Sequence, residues 1–435
     1  MHISPTMIQA LFGFVFLLGL SYCFSDNKKA INWKLILSAF ILQNILFLLI
    51  RYVPIVNTGL GHFSAGLVSM LDFAREGARF IFGDFVDSKK FGFVFVLVVV
   101  PTIVFFGSVV AMLYFFGIIQ RLIAFLAYLL RKTVKLSGVE SLIVIADIFL
   151  GQSEGPLVIG PYIKSLTKSE LACAFIAGLA NLSGSTLGMY LAFLSGGDHQ
   201  QEVIFATYLV TATFMNAASA IVFAKVLFPE TNFENVSSEK VEIHAHFYSS
   251  FVDSVVQGAM TGLKVGVAMV TVLMAVTSLV HLVNAVLLGV GDIIHINDSI
   301  KSATQGAFSG LSLEYILGQI FRIFAFFMGI SWIETLNVGS LLGQKVAINE
   351  FVAYVSLGKM KLANVLSQNA IFISTFALAS FSNFSSIGIS MGIYSVLAPS
   401  RQKDLGQIAW KCLFGAVLAG FMTATIAGFW HSLLG

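Results

Sequence analysis

Charged side chains make up only 11% of this 435-residue chain, less than half the ~25% usual in soluble domains. That shortage, with a mean hydropathy of +0.90 and 42 phenylalanines, excludes an ordinary water-soluble enzyme. Strong net charge is missing as well, and a balance of +3 gives no reason to expect a nucleic-acid partner. Cysteine is rare. Cys23, Cys173 and Cys412 stand singly inside apolar segments, so disulfide and metal-ligand spacings are both absent and small core side chains are the better reading. No His-Glu-x-x-His run is present, which removes the zinc-protease signature. The opening residues Met1-His2-Ile3-Ser4-Pro5 lack a basic stretch and a small-residue cleavage site, so residues 7–24 read as a retained first span. The alternating ~10-residue segments of a transmembrane barrel do not occur. What remains is an all-α polytopic membrane protein.

A spanning helix needs ~20 apolar residues. Candidate spans cover residues 7–24, 32–54, 92–116 with a kink expected at Pro101, 202–228, 251–289 after a helical lead-in, and 405–431. Between the second and third, Asp72, Arg75, Glu76 and Arg79 recur at helical spacing opposite Leu67, Met70, Ala74 and Ile81. That pattern predicts an amphipathic interfacial helix over residues 62–84. Residues 118–132 form a helix flanked by Arg and Lys, and residues 313–330, with Arg322 at their centre, read as interfacial or amphipathic. Residues 229–250 are a solvated loop. Its His244-Ala245-His246 is a weak metal pattern, and its Asn235-Val236-Ser237 is a glycosylation pattern common by chance. Lys28, Lys29 and Lys34 favour a cytoplasmic first loop and an outside N-terminus.

Two stretches break this regularity. Residues 139–165 place Gly151-Gln152-Ser153-Glu154-Gly155-Pro156 between two apolar runs, each too short to cross ~30 Å. An ionisable group at membrane depth costs ~3 kcal/mol or more unless it lines a cavity or finds a partner, so Glu154 reads as functional. Two short helices meeting at a polar tip predict a re-entrant hairpin, tolerated only where protein or water surrounds the tip. Residues 169–194 follow, long enough to span but interrupted by Asn181-Leu182-Ser183-Gly184-Ser185-Thr186. The pattern then returns: a short run over 335–347, the tip Asn349-Glu350, a second run over 351–358, and a long span over 367–397 broken at 380–386. Tip to break is 27 residues in one copy (154 to 181) and 33 in the other (350 to 383). Paired broken segments in corresponding positions point to a transporter's midplane site, where half-helix N-termini offer N–H donors and unwound carbonyls can hold a cation. Close helix packing by small residues accounts for Gly184 and Gly388. It does not account for two glutamates and two asparagines in the same frame.

At this point the motifs carry a resemblance. Gly151-Gln152-Ser153-Glu154 with Pro156-Leu157, Pro161-Tyr162, Thr167-Lys168-Ser169-Glu170-Leu171, Val338-Gly339-Ser340-Leu341-Leu342-Gly343, Asn349-Glu350-Phe351-Val352-Ala353-Tyr354 and Phe381-Ser382-Asn383-Phe384-Ser385-Ser386 resemble the concentrative nucleoside transporter family over residues 90–430. The resemblance implies about eight transmembrane helices, two re-entrant hairpins in inverted-type repeats, a homotrimer, and cation-coupled nucleoside uptake across the cytoplasmic membrane. It divides the chain into scaffold (1–138 and 195–330), transport elements (139–194 and 331–397) and a C-terminal helix (398–435). Gln152, Ser153 and Glu154 would face the nucleobase, Glu350, Asn383 and Ser386 the ribose, and Phe381 would pack near the base. Asp147, Leu150, Asn181 and Leu182 map onto the sodium site, with carbonyls from the apolar positions. Substrate and sodium are then the partners, lipid the surroundings, and no other cofactor is implied. A nucleoside is neutral, flat and edged with donors and acceptors, which suits amide and carboxylate partners beside an apolar face. Two departures stand out: Ser153 replaces the family's usual Thr, and Asp147 its usual Asn. Asp147 adds a negative charge that strengthens a sodium site or carries a proton instead, since burial readily raises a carboxyl's pKa.

An intramembrane aspartyl protease is the rival from another class, on Gly289-Val290-Gly291-Asp292, but its Tyr-Asp partner is absent and a glycine-rich helix terminus explains the match. A channel has little use for two hairpin tips tuned to an organic ligand. Lys345 reads as half of a structural ion pair, Lys225, Lys264 and Arg322 as snorkelling side chains, and His281 as a hydrogen-bonded structural histidine.

Overall fold

The computed structural model describes residues 5–91, 94–195, 198–236 and 248–434. His244, His246 and Ser237 lie outside them. Among the described residues every regular element is a helix. Six are long and apolar enough to cross a membrane: Thr6–Cys23, Trp33–Tyr52, Val96–Phe115, His199–Leu227, Phe251–Ile293 and Pro399–Leu434. The fifth was expected as a lead-in plus a span but is one helix of 43 residues, roughly 65 Å at 1.5 Å per residue. It packs against Phe95–Phe115 at very close range, because a Cβ added to Gly107 would stand 2.6 Å from the carbonyl oxygen of Gly258. Phe95–Phe115 runs on through Pro101. The helix expected to be interfacial is longer than its pattern implied, Pro54–Phe82, because Pro54 opens it: a first-turn proline loses no intrahelical bond. Asp292 ends the long helix with its Oδ1 accepting from Asn297 Nδ2 at 2.6 Å, as expected of a helix terminus.

Helix ends sort onto two faces. On one, Asp26 accepts from Lys168 at 2.8 Å and from Lys411, and its N–H donates to the Leu227 carbonyl at 3.0 Å. Arg401 Nη1 donates there to the carbonyls of Lys164 and Leu166 at 3.1 and 2.7 Å. On the opposite face, Thr6 donates to Ser432 at 3.4 Å, Lys361 to the Leu194 carbonyl at 2.6 Å, and the Ser367 N–H to Glu334 at 2.6 Å. The first helical hairpin, Gly138–Phe149 and Gly151–Val158, has both ends at the Asp26 face. The second, Thr335–Ala347 and Glu350–Leu362, has both at the Glu334 face. Each is followed by a broken helix, Lys168–Ala180 with Gly184–Ser195, and Gln368–Leu378 with Phe384–Leu397. The two repeats run in opposite directions.

Local chemistry explains the starts. Ser137 and Glu140 form a capping box at 3.2 and 3.3 Å, and Thr167 and Glu170 another at 3.1 and 3.0 Å, each satisfying two N–H groups a helix start leaves open. Three expectations fail here. Lys225 does not snorkel: it is buried and pairs with Glu140 while donating to Ser169 at 2.9 Å, because the buried Glu140 needs a counter-charge. His281 is exposed on the long helix and makes no hydrogen bond among the described residues. Gly388 has nothing within 4 Å of an added Cβ, so close packing does not explain it.

Candidate functional site

The first hairpin turns at Gly151, whose φ of +72° lies where only glycine is free of strain. The second arm begins there, so Gln152, Ser153 and Glu154 form its first turn rather than a loop between arms. Their side chains diverge. Gln152 is buried, its Nε2 donating to Ser386 Oγ at 3.1 Å and its Oε1 accepting from Ser390 Oγ at 3.3 Å. Ser153 is exposed. Glu154 lines a cavity of about 300 Å³ with Leu150 and Leu157, facing Tyr114, Tyr248 and Gln257.

At the second tip, Asn349 is a cap whose Oδ1 accepts from the Val352 N–H at 2.9 Å. This leaves Glu350 at the first helical position, where the helix dipole favours negative charge. Both of its oxygens are used. Tyr190 Oη donates to one at 3.0 Å and Asn383 Nδ2 to the other at 2.8 Å. Asn383 Oδ1 in turn accepts from the Ser386 N–H at 2.9 Å, capping Phe384–Leu397. One hydrogen-bonded chain therefore runs Tyr190, Glu350, Asn383, Ser386, Gln152, Ser390, and joins both hairpins to both broken helices. Phe381 is buried beside it, its N–H donating to the Asn181 carbonyl at 3.4 Å, so the two breaks meet. Ser153 and Glu154 stand outside this chain.

Asp147 is completely buried, and neither of its carboxylate oxygens has a hydrogen-bond partner. It lies against the end of Lys168–Ala180, its Oδ2 3.7 Å from where a Cβ on Gly178 would stand, and its Oδ1 would collide with a Cβ on Gly155. Asn181, at the following break, donates to the Ala177 carbonyl at 3.2 Å and leaves its Oδ1 without a partner. Leu150 and Leu182 are buried around them. Buried oxygens are almost always satisfied, and three orphaned acceptors at one junction are a donor set for a cation or a proton. Lys345 makes no ion pair among the described residues, though Glu350 acts on it electrostatically from beyond contact distance. Lys345 is buried, donates to Ser382 Oγ and sits 5.7 Å from the Phe421 ring centroid.

Comparison with known proteins agrees along the whole chain. The profile described as Na+ dependent nucleoside transporter C-terminus matches residues 208–428, its N-terminal counterpart matches 12–85, and a nucleoside recognition (gate) profile matches 96–196. The chain belongs to the concentrative nucleoside transporter family. Similar members of that family include the nucleoside permease NupC of Helicobacter pylori, 33% identical over 97% of each chain. Solute carrier family 28 member 3 of Mus musculus is 31% identical over 96% of this chain and 58% of its own length. Among solved structures, the transporter CNTnw in an inward-facing substrate-bound state superposes with a TM-score of 0.88 at 35% identity over 99% of both chains. A variant of it in an outward-facing state gives 0.89 at 34%. This concentrative nucleoside transporter is thus a multi-pass membrane protein and a carrier rather than an enzyme.

Sequence reasoning missed two members of the chain of bonds in this transporter. Ser390 had a signal, being four residues past Ser386 and so on the same helix face. Tyr190 had none, since a tyrosine in an apolar run reads as core.

Proposed function

We propose that this protein is a cation-coupled symporter that imports nucleosides across the cytoplasmic membrane by alternating access. The observation that carries this is the hydrogen-bonded chain from Tyr190 to Ser390. A ribose with vicinal hydroxyls is matched by Glu350, whose two oxygens already accept from one hydroxyl and one amide, with Asn383 and Ser386 alongside. Gln152 offers a donor and an acceptor to a base edge, Phe381 an apolar face, and Ser153 and Glu154 the rest of the base side, with Glu154 also lining the cavity of about 300 Å³ between the first hairpin and the helices Phe95–Phe115 and Phe251–Ile293, a size within the range of ligand pockets. The hairpins are re-entrant, and each broken helix crosses as one span, bringing the six unbroken helices to eight. Residues 139–194 and 331–397 move as the transport elements against the scaffold, and three copies assemble. In support, the long helix exposes Met260, Val267, Leu282 and Val286, an apolar face suited to lipid or a second copy.

The coupling ion is sodium, held by Asp147, Asn181 and the carbonyls of Leu150 and Leu182. Support comes from the orphaned oxygens of Asp147 and Asn181 and from the sodium dependence named for the family. One observation favours a second reading: a wholly buried carboxylate without donors also suits a proton carrier. Uridine uptake into proteoliposomes, with sodium and proton gradients imposed separately, decides between them. Uptake driven by protons without sodium rejects the sodium reading and promotes Asp147. In the same assay Glu350→Gln is expected to abolish uptake while the protein folds and assembles normally. Normal uptake by that variant would remove the ribose role.

A further inference from the structure

The two repeats match one another in a place where their charges are opposite. In the first, Asp147 is the third residue from the end of the leading hairpin arm, Gly138–Phe149. In the second, the third residue from the end of Thr335–Ala347 is Lys345. Both side chains are completely buried. Each stands where its own broken helix comes apart, Asp147 near Gly178 and Lys345 at Ser382. The Lys345 ammonium has no carboxylate within ion-pair distance among the described residues. Glu350 acts on it electrostatically from beyond that distance, and its immediate surroundings are the hydroxyls of Ser380 and Ser382, themselves 3.0 Å apart, the Phe421 ring, and the end of Gln368–Leu378. A Cβ added to Gly420 would meet Lys345 Nζ at 3.6 Å, Ser380 Oγ at 3.1 Å and the Ala377 carbonyl oxygen at 3.5 Å, so these groups form one cluster.

A helix that stops inside a protein leaves its last carbonyls unpaired and carries partial negative charge there. A buried ammonium with no carboxylate in contact is costly, and this one is held against hydroxyl oxygens beside such an end. In the first repeat the corresponding helix end has unpartnered acidic and amide oxygens and no cation of its own.

We infer that Lys345 is a tethered cation: it does for the second break, permanently, what the coupling ion does for the first when it binds. Acting through Ser382, it holds the unwound segment between Leu378 and Phe384 so that Phe381 and Asn383 present themselves to substrate. It is a positioning residue. This rests on the cation reading of Asp147.

The test uses the full chain in proteoliposomes and in detergent. Lys345→Met keeps the bulk and removes the charge, and is expected to lower kcat/KM for sodium-driven uridine uptake roughly 10-fold or more, the worth of one charge-assisted hydrogen bond. Lys345→Ala is expected to regain uptake and thermal stability when ethylammonium is added, and not when the neutral n-propanol is. Ser382→Ala keeps the ammonium and removes its acceptor, and is expected to raise KM about fivefold. Wild-type kcat/KM in Lys345→Met together with wild-type KM in Ser382→Ala overturns the inference, as does rescue of Lys345→Ala by n-propanol equal to that by ethylammonium. Thermal stability is read without any transport. If the wild type takes up no nucleoside, the transporter reading fails, and the stability rescue by ethylammonium alone decides the role of Lys345.

Discussion

Gly151→Ala is the sharpest single perturbation of the first hairpin. The backbone there has φ +72°, and an added Cβ would stand 2.7 Å from Ser183 Cβ and 3.1 Å from Ser183 Cα. Two costs follow. An L side chain in the left-handed region costs ~1–2 kcal/mol, and forcing an extra carbon into a packed contact costs ~1–3 kcal/mol. The partner atoms belong to a break in a helix, not to the far end of a flexible chain, so relaxation has to move backbone. The sum, ~2–5 kcal/mol, falls on the contact between hairpin tip and first break, next to Gln152. Uptake of uridine and the thermal unfolding midpoint in detergent should therefore both fall. The control is Gly388→Ala, on Phe384–Leu397, where nothing lies within 4 Å of the new carbon. That change should leave the midpoint unchanged or raise it, since alanine is the better helix former by ~0.5–1 kcal/mol. Equal midpoints and equal uptake for Gly151→Ala and wild type would refute the reasoning, because neither the turn nor the contact would then matter.

Tyr190→Phe removes the hydroxyl that donates to Glu350 and leaves one carboxylate oxygen short of a donor. Uptake kcat/KM should fall about 5- to 10-fold with the protein still folded, and an unchanged value argues against the network. A site built around ribose hydroxyls should reject 2′,3′-dideoxyuridine by a factor of ~100 or more, checked by competition against labelled uridine. Asp147→Asn removes the charge and keeps the shape: sodium-driven uptake should survive with a higher sodium requirement, whereas complete loss of coupling points to a proton on Asp147. At the Asp26 face, burial raises the Asp26 carboxyl, but hydrogen bonds and charge from Lys168 and Lys411 outweigh it and hold the group below its ordinary value. A depressed folded pKa stabilises above the unfolded pKa and is lost as pH falls through the folded one, so Asp26→Asn should cost about 1 kcal/mol or less at pH 7. Its difference from wild type in thermal unfolding should be constant above about pH 4 and shrink as pH falls below that toward the lowered folded pKa.

The large plan was legible because lipid makes polar residues conspicuous. Two glutamates and two asparagines interrupting apolar runs at similar spacing marked the hairpins and the breaks, and residues 335–347 form a helix with those bounds. What could not be read was pairing across the fold. Glu140 carries no mark in the letters, and nothing in them says that Lys225, 85 residues on, lies opposite. Lys345 was expected to find an acid and found Ser382 instead, because which side chain fills a buried space depends on packing between distant segments. The motif Gln152-Ser153-Glu154 looked like one constellation. As the first turn of a helix it fans out, so that Gln152 meets Ser386 while Glu154 meets the cavity.

Coupling between a cation and a nucleoside requires that both bias the same structural element. The two breaks supply one. The Phe381 N–H donates to the carbonyl of Asn181, so the backbone of the second break is hydrogen-bonded to the residue whose side-chain oxygen has no partner at the first break. Gly151 presses on Ser183 two residues further along, tying the hairpin that carries Gln152 to that same segment. Under the proposed mechanism, a cation that orders Asn181 orders Phe381 and Gln152 with it, and substrate that orders those two makes the cation site in return. The linkage needs no path through the membrane, only these contacts. Under that proposal a charge placed at Asp147 bears on what drives the carrier without altering what it carries.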